Sequence, residues 1–141
     1  MGTRSGAVRW TLALLAAAGL AVDAYTHFDL ASTYRFNKTS VLGEDLLFRI
    51  EGVLAILAAV AVLIRRNRPT ALFVVLVAGG GLFLLVLYRY ADIGRIGPIP
   101  AMYDPEWFPE KVASAIGEAV ALVAGLALLV LGPARKVSVV R

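Results

Sequence analysis

Ionisable residues inside apolar runs are the part of this sequence best suited to chemistry. Asp23, Glu51 and Glu118 each lie within a long apolar segment, near the same end of it. Because a helix rises about 1.5 Å per residue, these positions predict three carboxylates at nearly one depth, roughly 20 Å from one face of a bundle. His27 follows Asp23 by one helical turn and would face the same side. An isolated charge in hydrocarbon costs roughly 2.5 to 3.5 kcal/mol, so these groups should face one another or a hydrated cavity.

We therefore predict a polar pocket that opens at this end, with Arg89 as a counter-charge to the carboxylates. The predicted ligand-binding or proton-binding residues are Asp23, His27, Arg49, Glu51, Tyr88, Arg89 and Glu118. A quinone, a lipid or another small ligand would suit such a pocket. Two alternatives stay open: a small proton-coupled transporter, and a structural network in which the buried charges only hold the helices in register.

Several chemistries are disfavoured by composition and spacing. The chain has no cysteine and one histidine, which excludes thiol chemistry and haem held by two histidines. No Glu-x-x-His pair is present, so the spacing predicts no metal site. Asp23 and His27 could act as a general base, but no nucleophile or cofactor fingerprint accompanies them. We expect no catalytic residues.

The elements that would position these groups are four apolar runs in a chain of 141 residues, 60% of them hydrophobic. The runs cover residues 8–28, 46–64, 69–88 and 112–131. Each has close to the roughly 20 residues that a helix needs to cross a bilayer. The sequence predicts an all-α fold, an integral membrane four-helix bundle that forms a single domain over residues 1–141.

Charges divide sharply between the two ends of these runs. Eight cations and no carboxylate flank the ends near both termini and the short 65–69 connection: Arg4, Arg9, Arg65, Arg66, Arg68, Arg135, Lys136 and Arg141. All ten carboxylates fall toward the other side. The positive-inside rule then predicts cytoplasmic termini. We expect a multi-pass protein of a cell membrane, namely a bacterial inner membrane. Membrane lipid is the expected partner and nucleic acid is not. A cleaved signal peptide is the alternative for the first run, and the charge pattern disfavours it.

Two longer connections on the outer side are predicted to be ordered loops. The second is rich in proline and aromatic residues, and we predict a partner-binding surface at Tyr103, Trp107 and Phe108. A homo-oligomer or a larger membrane complex would use this surface. Small residues at intervals of four predict close helix packing. They are Ala13, Ala17 and Ala21 on the first run, and Ala113, Gly117, Ala121 and Gly125 on the fourth.

The layout resembles that of DoxX-like small membrane proteins. The shared features are a span, an outer loop, a second span that opens with Glu51-Gly52, a short basic turn at Arg65 to Arg68, and two further spans. The resemblance extends over roughly residues 8–131. It implies a four-helix bundle that serves as an accessory subunit of a membrane redox or quinone-linked assembly. It assigns no catalytic residue.

Overall fold

Four α-helices account for most of the chain. The computed structural model describes residues 2–133, and its helices are α1 (Gly2–Ala31), α2 (Glu44–Ile64), α3 (Arg68–Tyr90) and α4 (Pro109–Leu131). Each helix contains one predicted apolar run, and all four are long and apolar enough to cross a membrane. The all-α, four-helix prediction is confirmed. The predicted topology cations Arg135, Lys136 and Arg141 lie outside the described residues.

The helices follow one another around the bundle. α1 packs most extensively against α2 and α4, α3 packs against α4, and α2 and α3 form the least extensive of these four contacts between neighbouring helices. Connections 32–43 and 91–108 lie together at one end, which we call the loop end. Residues 65–67 connect α2 and α3 at the other end, the turn end.

The 65–67 turn is fixed by a capping box at the start of α3. The Asn67 side chain accepts a hydrogen bond of 3.1 Å from the Thr70 backbone N–H, and the Thr70 hydroxyl accepts one of 3.4 Å from the Asn67 N–H. Two orphan donors of the first turn are thereby satisfied. Pro69 lies in that first turn, as its sequence position predicts. The tight turn makes α2 and α3 antiparallel.

Small residues bring α1 and α4 into backbone contact. A Cβ atom on Gly117 would lie 2.6 Å from the carbonyl oxygen of Gly19, and one on Gly19 would lie 3.1 Å from the backbone nitrogen of Ala121. Gly117, Ala121 and Gly125 are buried, which confirms the predicted ridge on α4 over these positions. On α1, Ala13 is buried and Ala21 is exposed, so the predicted α1 ridge packs inside the bundle only at its beginning.

At the turn end, Arg9 joins the two chain-terminal helices. Arg9 is 7% exposed, and its guanidinium donates hydrogen bonds to the carbonyl oxygens of Gly132 and Pro133, just past the end of α4. These carbonyls have no partner within the helix, and a cation stabilises the negative end of the helix dipole. The guanidinium carbon of Arg66 lies 3.7 Å from the centre of the Trp10 ring. The turn end is therefore basic and closely packed.

Candidate functional site

Asp23 is the centre of a buried polar cluster between α1 and α4. Its side chain is fully buried, and its Oδ1 accepts a hydrogen bond of 2.8 Å from the Ser114 hydroxyl. The Nδ1 atom of His27 lies 2.9 Å from the same oxygen and 2.9 Å from the Asp23 backbone carbonyl oxygen. Asp23 thus connects α1 with α4 and orients the imidazole one turn nearer the loop end.

Glu118 joins this cluster from α4, one turn beyond Ser114. It is fully buried, and no hydroxyl, amide, ammonium or guanidinium group of the described residues donates a hydrogen bond to either of its carboxylate oxygens. Asp23, His27 and Glu118 each present one potential ligand atom, and these atoms lie within 4.8 Å of one another. The Oδ2 atom of Asp23 also lacks a partner in the described part of the chain. Two carboxylates with free oxygens therefore share one buried space with the imidazole.

The third carboxylate, Glu51, approaches from α2 at the level of Gly81. A Cβ atom on Gly81 would lie 2.8 Å from Glu51 Oε1 and closer still to Glu118 Oε1. Glu51 Oε1 is buried and has no hydrogen-bond partner within residues 3–133. The structure thus brings Asp23, Glu51 and Glu118 together, and the missing side chain at Gly81 of α3 leaves room for two of them.

A cavity of about 310 Å³ lies between this cluster and the loop end. Its apolar wall comes mainly from α2 and α3, which pack against each other less extensively than the other neighbouring helices do. Representative wall residues are Leu30, Leu47, Phe48, Leu84 and Leu85. Polar groups lie at its two ends, with His27, Glu51 and Ser114 at the deep end. Four of the predicted site residues line it: His27, Glu51, Tyr88 and Arg89. Asp23 and Glu118 lie one turn deeper.

Neither predicted arginine of the site pairs with the buried carboxylates, so Arg89 does not supply the expected counter-charge. The Arg49 side chain is 55% exposed, does not line the cavity and lies 3.9 Å from Asp45. Arg89 lines the cavity, but its guanidinium carbon lies 4.7 Å from the Tyr90 ring centre and 5.4 Å from that of Trp107. Within the described range, no lysine or arginine forms an ion pair with the buried carboxylates. The cluster is therefore acidic and has only His27 as a potential cation.

The loops form an ordered cover above the cavity. The Tyr34 hydroxyl donates to Asp104 Oδ2 at 2.8 Å, and Lys111 Nζ lies 3.0 Å from the same oxygen. Burial and this hydrogen bond raise the pKa of Tyr34 above its ordinary value. Burial opposes ionisation of Asp104, but hydrogen bonds from Tyr34 and Lys111 outweigh it and lower the pKa of this carboxyl. Asn37 and Thr39 donate to the Ala101 and Pro98 carbonyl oxygens, each at 2.7 Å, which ties the first loop to the second.

The predicted partner surface separates into two parts. Tyr103 and Trp107 are each 43% exposed. Phe108 lines the cavity, and Lys111 Nζ lies 4.9 Å from its ring centre. Binding of a partner at Tyr103 and Trp107 stays a prediction, as does ligand binding at the cavity residues.

Sequence reasoning missed Ser114, Tyr34, Asp104 and Lys111 as parts of this site. Ser114 lies one turn before Glu118, a spacing that places both on one face of α4 and could have identified it. The other three meet through contacts between distant loops, for which the sequence carries no local pattern. No family model, no curated protein and no solved structure matches this chain. The resemblance to DoxX-like proteins therefore stays an expectation.

Proposed function

We propose that this protein is a multi-pass protein of a bacterial inner membrane, with the turn end and both termini in the cytoplasm. Large apolar side chains such as Leu14, Leu57, Leu76 and Val123 are about half exposed or more on the outside of all four helices. So much exposed apolar surface suits lipid and not water. The cations of the turn end and the carboxylates of the loop end have the asymmetry that the positive-inside rule requires.

Within that membrane, we propose that the cavity binds an amphiphile with an apolar body and a hydrogen-bonding head, of quinone-like or lipid-like chemistry. The single observation that carries this proposal is the cavity itself, about 310 Å³ with leucine-rich walls and polar groups at its two ends. Small-molecule sites commonly measure about 300 to 1,000 Å³ and combine apolar walls with a few polar groups. His27 and Glu51 would hydrogen-bond a head group at the deep end, and Tyr88 and Arg89 one nearer the loops.

The role we propose is that of an accessory or ligand-binding subunit and not of an enzyme. The resemblance to DoxX-like proteins supports it, as does the exposed aromatic pair Tyr103 and Trp107. Aromatic side chains are enriched in protein interfaces, so this pair is suited to contact a larger membrane complex or a second copy of the chain.

Binding can be measured by quenching of Trp107 fluorescence with a short-chain quinone, using nanodisc-embedded protein in a Trp10→Phe background. Leu85→Phe adds volume inside the cavity, whereas Leu76→Phe makes the same change at an exposed position of the same helix. We expect saturable quenching that Leu85→Phe weakens at least about tenfold, or roughly 1.4 kcal/mol. Leu76→Phe should leave it unchanged. Quenching that never saturates, or that both variants alter equally, would contradict a cavity site.

Proton-coupled transport is a second candidate, favoured by the position of Glu51 on the cavity wall with the buried Glu118 behind it. Such an arrangement could pass a proton from the cavity to the cluster. The transport hypothesis predicts that a pH gradient drives solute flux across the membrane of reconstituted vesicles. This flux should be lost in Glu118→Gln. Vesicles without such flux, or with equal flux in the variant, would eliminate transport as the function.

A further inference from the structure

We propose that Asp23, His27 and Glu118 form a binding site for a divalent transition-metal cation of the Zn²⁺ class. Their three potential ligand atoms lie within 4.8 Å of one another. One imidazole nitrogen with two carboxylate oxygens is a donor set found around zinc, manganese and ferrous iron. Bonds of about 2.0 to 2.2 Å hold neighbouring ligand atoms roughly 3 to 4 Å apart, so small side-chain rotations complete the set.

The unpartnered atoms of the cluster are an independent reason to expect a cation there. Glu118 is fully buried with both oxygens unpartnered, and the Oδ2 atom of the fully buried Asp23 is unpartnered as well, counting all partners in residues 3–133. Buried carboxylates are costly without a cation or hydrogen-bond donors, and removing the charge or adding a metal relieves that cost. No lysine or arginine side chain in this range forms an ion pair with them. A metal ion would use the free oxygens and supply the missing positive charge.

The residues around the cluster orient its ligands and leave one side open to the cavity. Ser114 donates to Oδ1 of Asp23, which orients the carboxylate and leaves Oδ2 free as a ligand. His27 and Ser114 also line the cavity, so an ion can enter from there. Glu51 extends its unpartnered Oε1 toward Glu118 across Gly81 and is the nearest candidate for a fourth ligand. If Glu51 does not bind the ion, the fourth coordination position faces the cavity.

The test is metal binding by the complete chain, purified without a histidine tag, stripped with EDTA and reloaded with ZnCl₂. We expect about one equivalent of zinc by elemental analysis and a saturable isotherm by calorimetry. Loss of a residue that hydrogen-bonds to a metal ligand weakens metal binding about 10- to 100-fold, so loss of a ligand itself in Glu118→Gln should weaken zinc binding by more than about 100-fold. Glu106→Gln removes an exposed loop carboxylate and should bind zinc as the wild type does.

A second variant and a second measurement keep the test decisive where Glu118→Gln does not fold. His27→Gln removes the nitrogen ligand, and Co²⁺ bound to the wild type should show the visible absorption of a low-symmetry site, which His27→Gln should lose. Zinc should also raise the melting temperature of the wild type and of Glu106→Gln but not of the ligand variants. If the wild type retains no zinc above a protein-free blank, the carboxylates are neutralised by protons and the metal proposal fails. It also fails if all variants bind equally.

This site does not depend on the proposed amphiphile. If the quinone still quenches Trp107 fluorescence in EDTA-stripped protein but the protein does not bind zinc, only the metal site is refuted. Zinc binding without saturable quinone quenching would refute only the amphiphile site.

Discussion

Gly19→Ala is the change that should most directly disrupt the α1–α4 interface. The new Cβ atom would lie 3.1 Å from the backbone nitrogen and 3.3 Å from the Cβ atom of Ala121, and closer still to the carbonyl oxygen of Gly117. Backbone atoms cannot rotate aside as the end of a side chain can. The two helices must therefore separate, and overpacking of this kind costs about 1 to 3 kcal/mol.

Gly80→Ala is the matched control for this substitution. It makes the same chemical change within α3, where a Cβ atom would meet nothing within 4 Å. Both variants gain at most about 1 kcal/mol from the better helix propensity of alanine. The free energy of unfolding of Gly19→Ala should therefore lie about 1 to 3 kcal/mol below that of Gly80→Ala.

The assay is unfolding in mixed micelles with increasing SDS, followed by the fluorescence of Trp10 and Trp107, which report on the two ends of the bundle. Equal stability of the two variants, within about 0.5 kcal/mol, would refute the backbone contact between Gly19 and Gly117. Because Asp23 lies one turn beyond Gly19 on α1, separation of the helices should also weaken its hydrogen bond with Ser114.

Three further changes test other parts of the structure. Asn67→Ala removes the capping box of α3 and should lower the free energy of unfolding by about 1 kcal/mol in the same SDS titration. Tyr34→Phe removes a hydrogen bond to Asp104 and should destabilise the protein by about 1 kcal/mol at neutral pH. Because the folded-state pKa of Asp104 is lowered, its stabilisation is present above the unfolded value of about 3.9 and is lost as the pH falls through the folded value. The difference between Tyr34→Phe and the wild type should therefore shrink in acid, and a difference that does not change with pH would contradict this assignment. Gly81→Ala places a methyl group against two buried carboxylates and should weaken zinc binding, whereas Gly80→Ala should not. Equal zinc affinity in these two variants would show that Gly81 is not needed for room at the cluster.

The cavity and the cluster both depend on the uneven packing of the bundle. Small residues bring α1 and α4 into backbone contact, whereas α2 and α3 pack less extensively than the other neighbouring helices and supply most of the apolar cavity wall. The loop contacts at Asp104 then hold the loop end in place. The α2–α3 side of the bundle therefore holds a cavity, whereas the α1–α4 side is closely packed.

Helix ends were the least predictable part of the fold. The apolar run of α1 begins near residue 8, but the helix begins at Gly2. The apolar run of α4 begins at residue 112, but the helix begins at Pro109, as the preference of proline for the first turn of a helix predicts. Hydropathy marks the segment that can lie in lipid, whereas a helix continues until its backbone groups find other partners. The connections at the loop end are correspondingly shorter than the apolar runs alone predict.

The sequence by itself determined the number of helices, the division of charge between their ends and the shared level of Asp23, Glu51 and Glu118. These properties depend on composition and on the rise per residue, which is the same in every helix. Only the tertiary structure decided which groups meet. Ser114 binds Asp23, Arg49 turns toward Asp45, and Arg89 lies against aromatic rings. The rotation of each helix about its axis decides these contacts, and that rotation is set by packing between glycine and alanine faces distant in the chain.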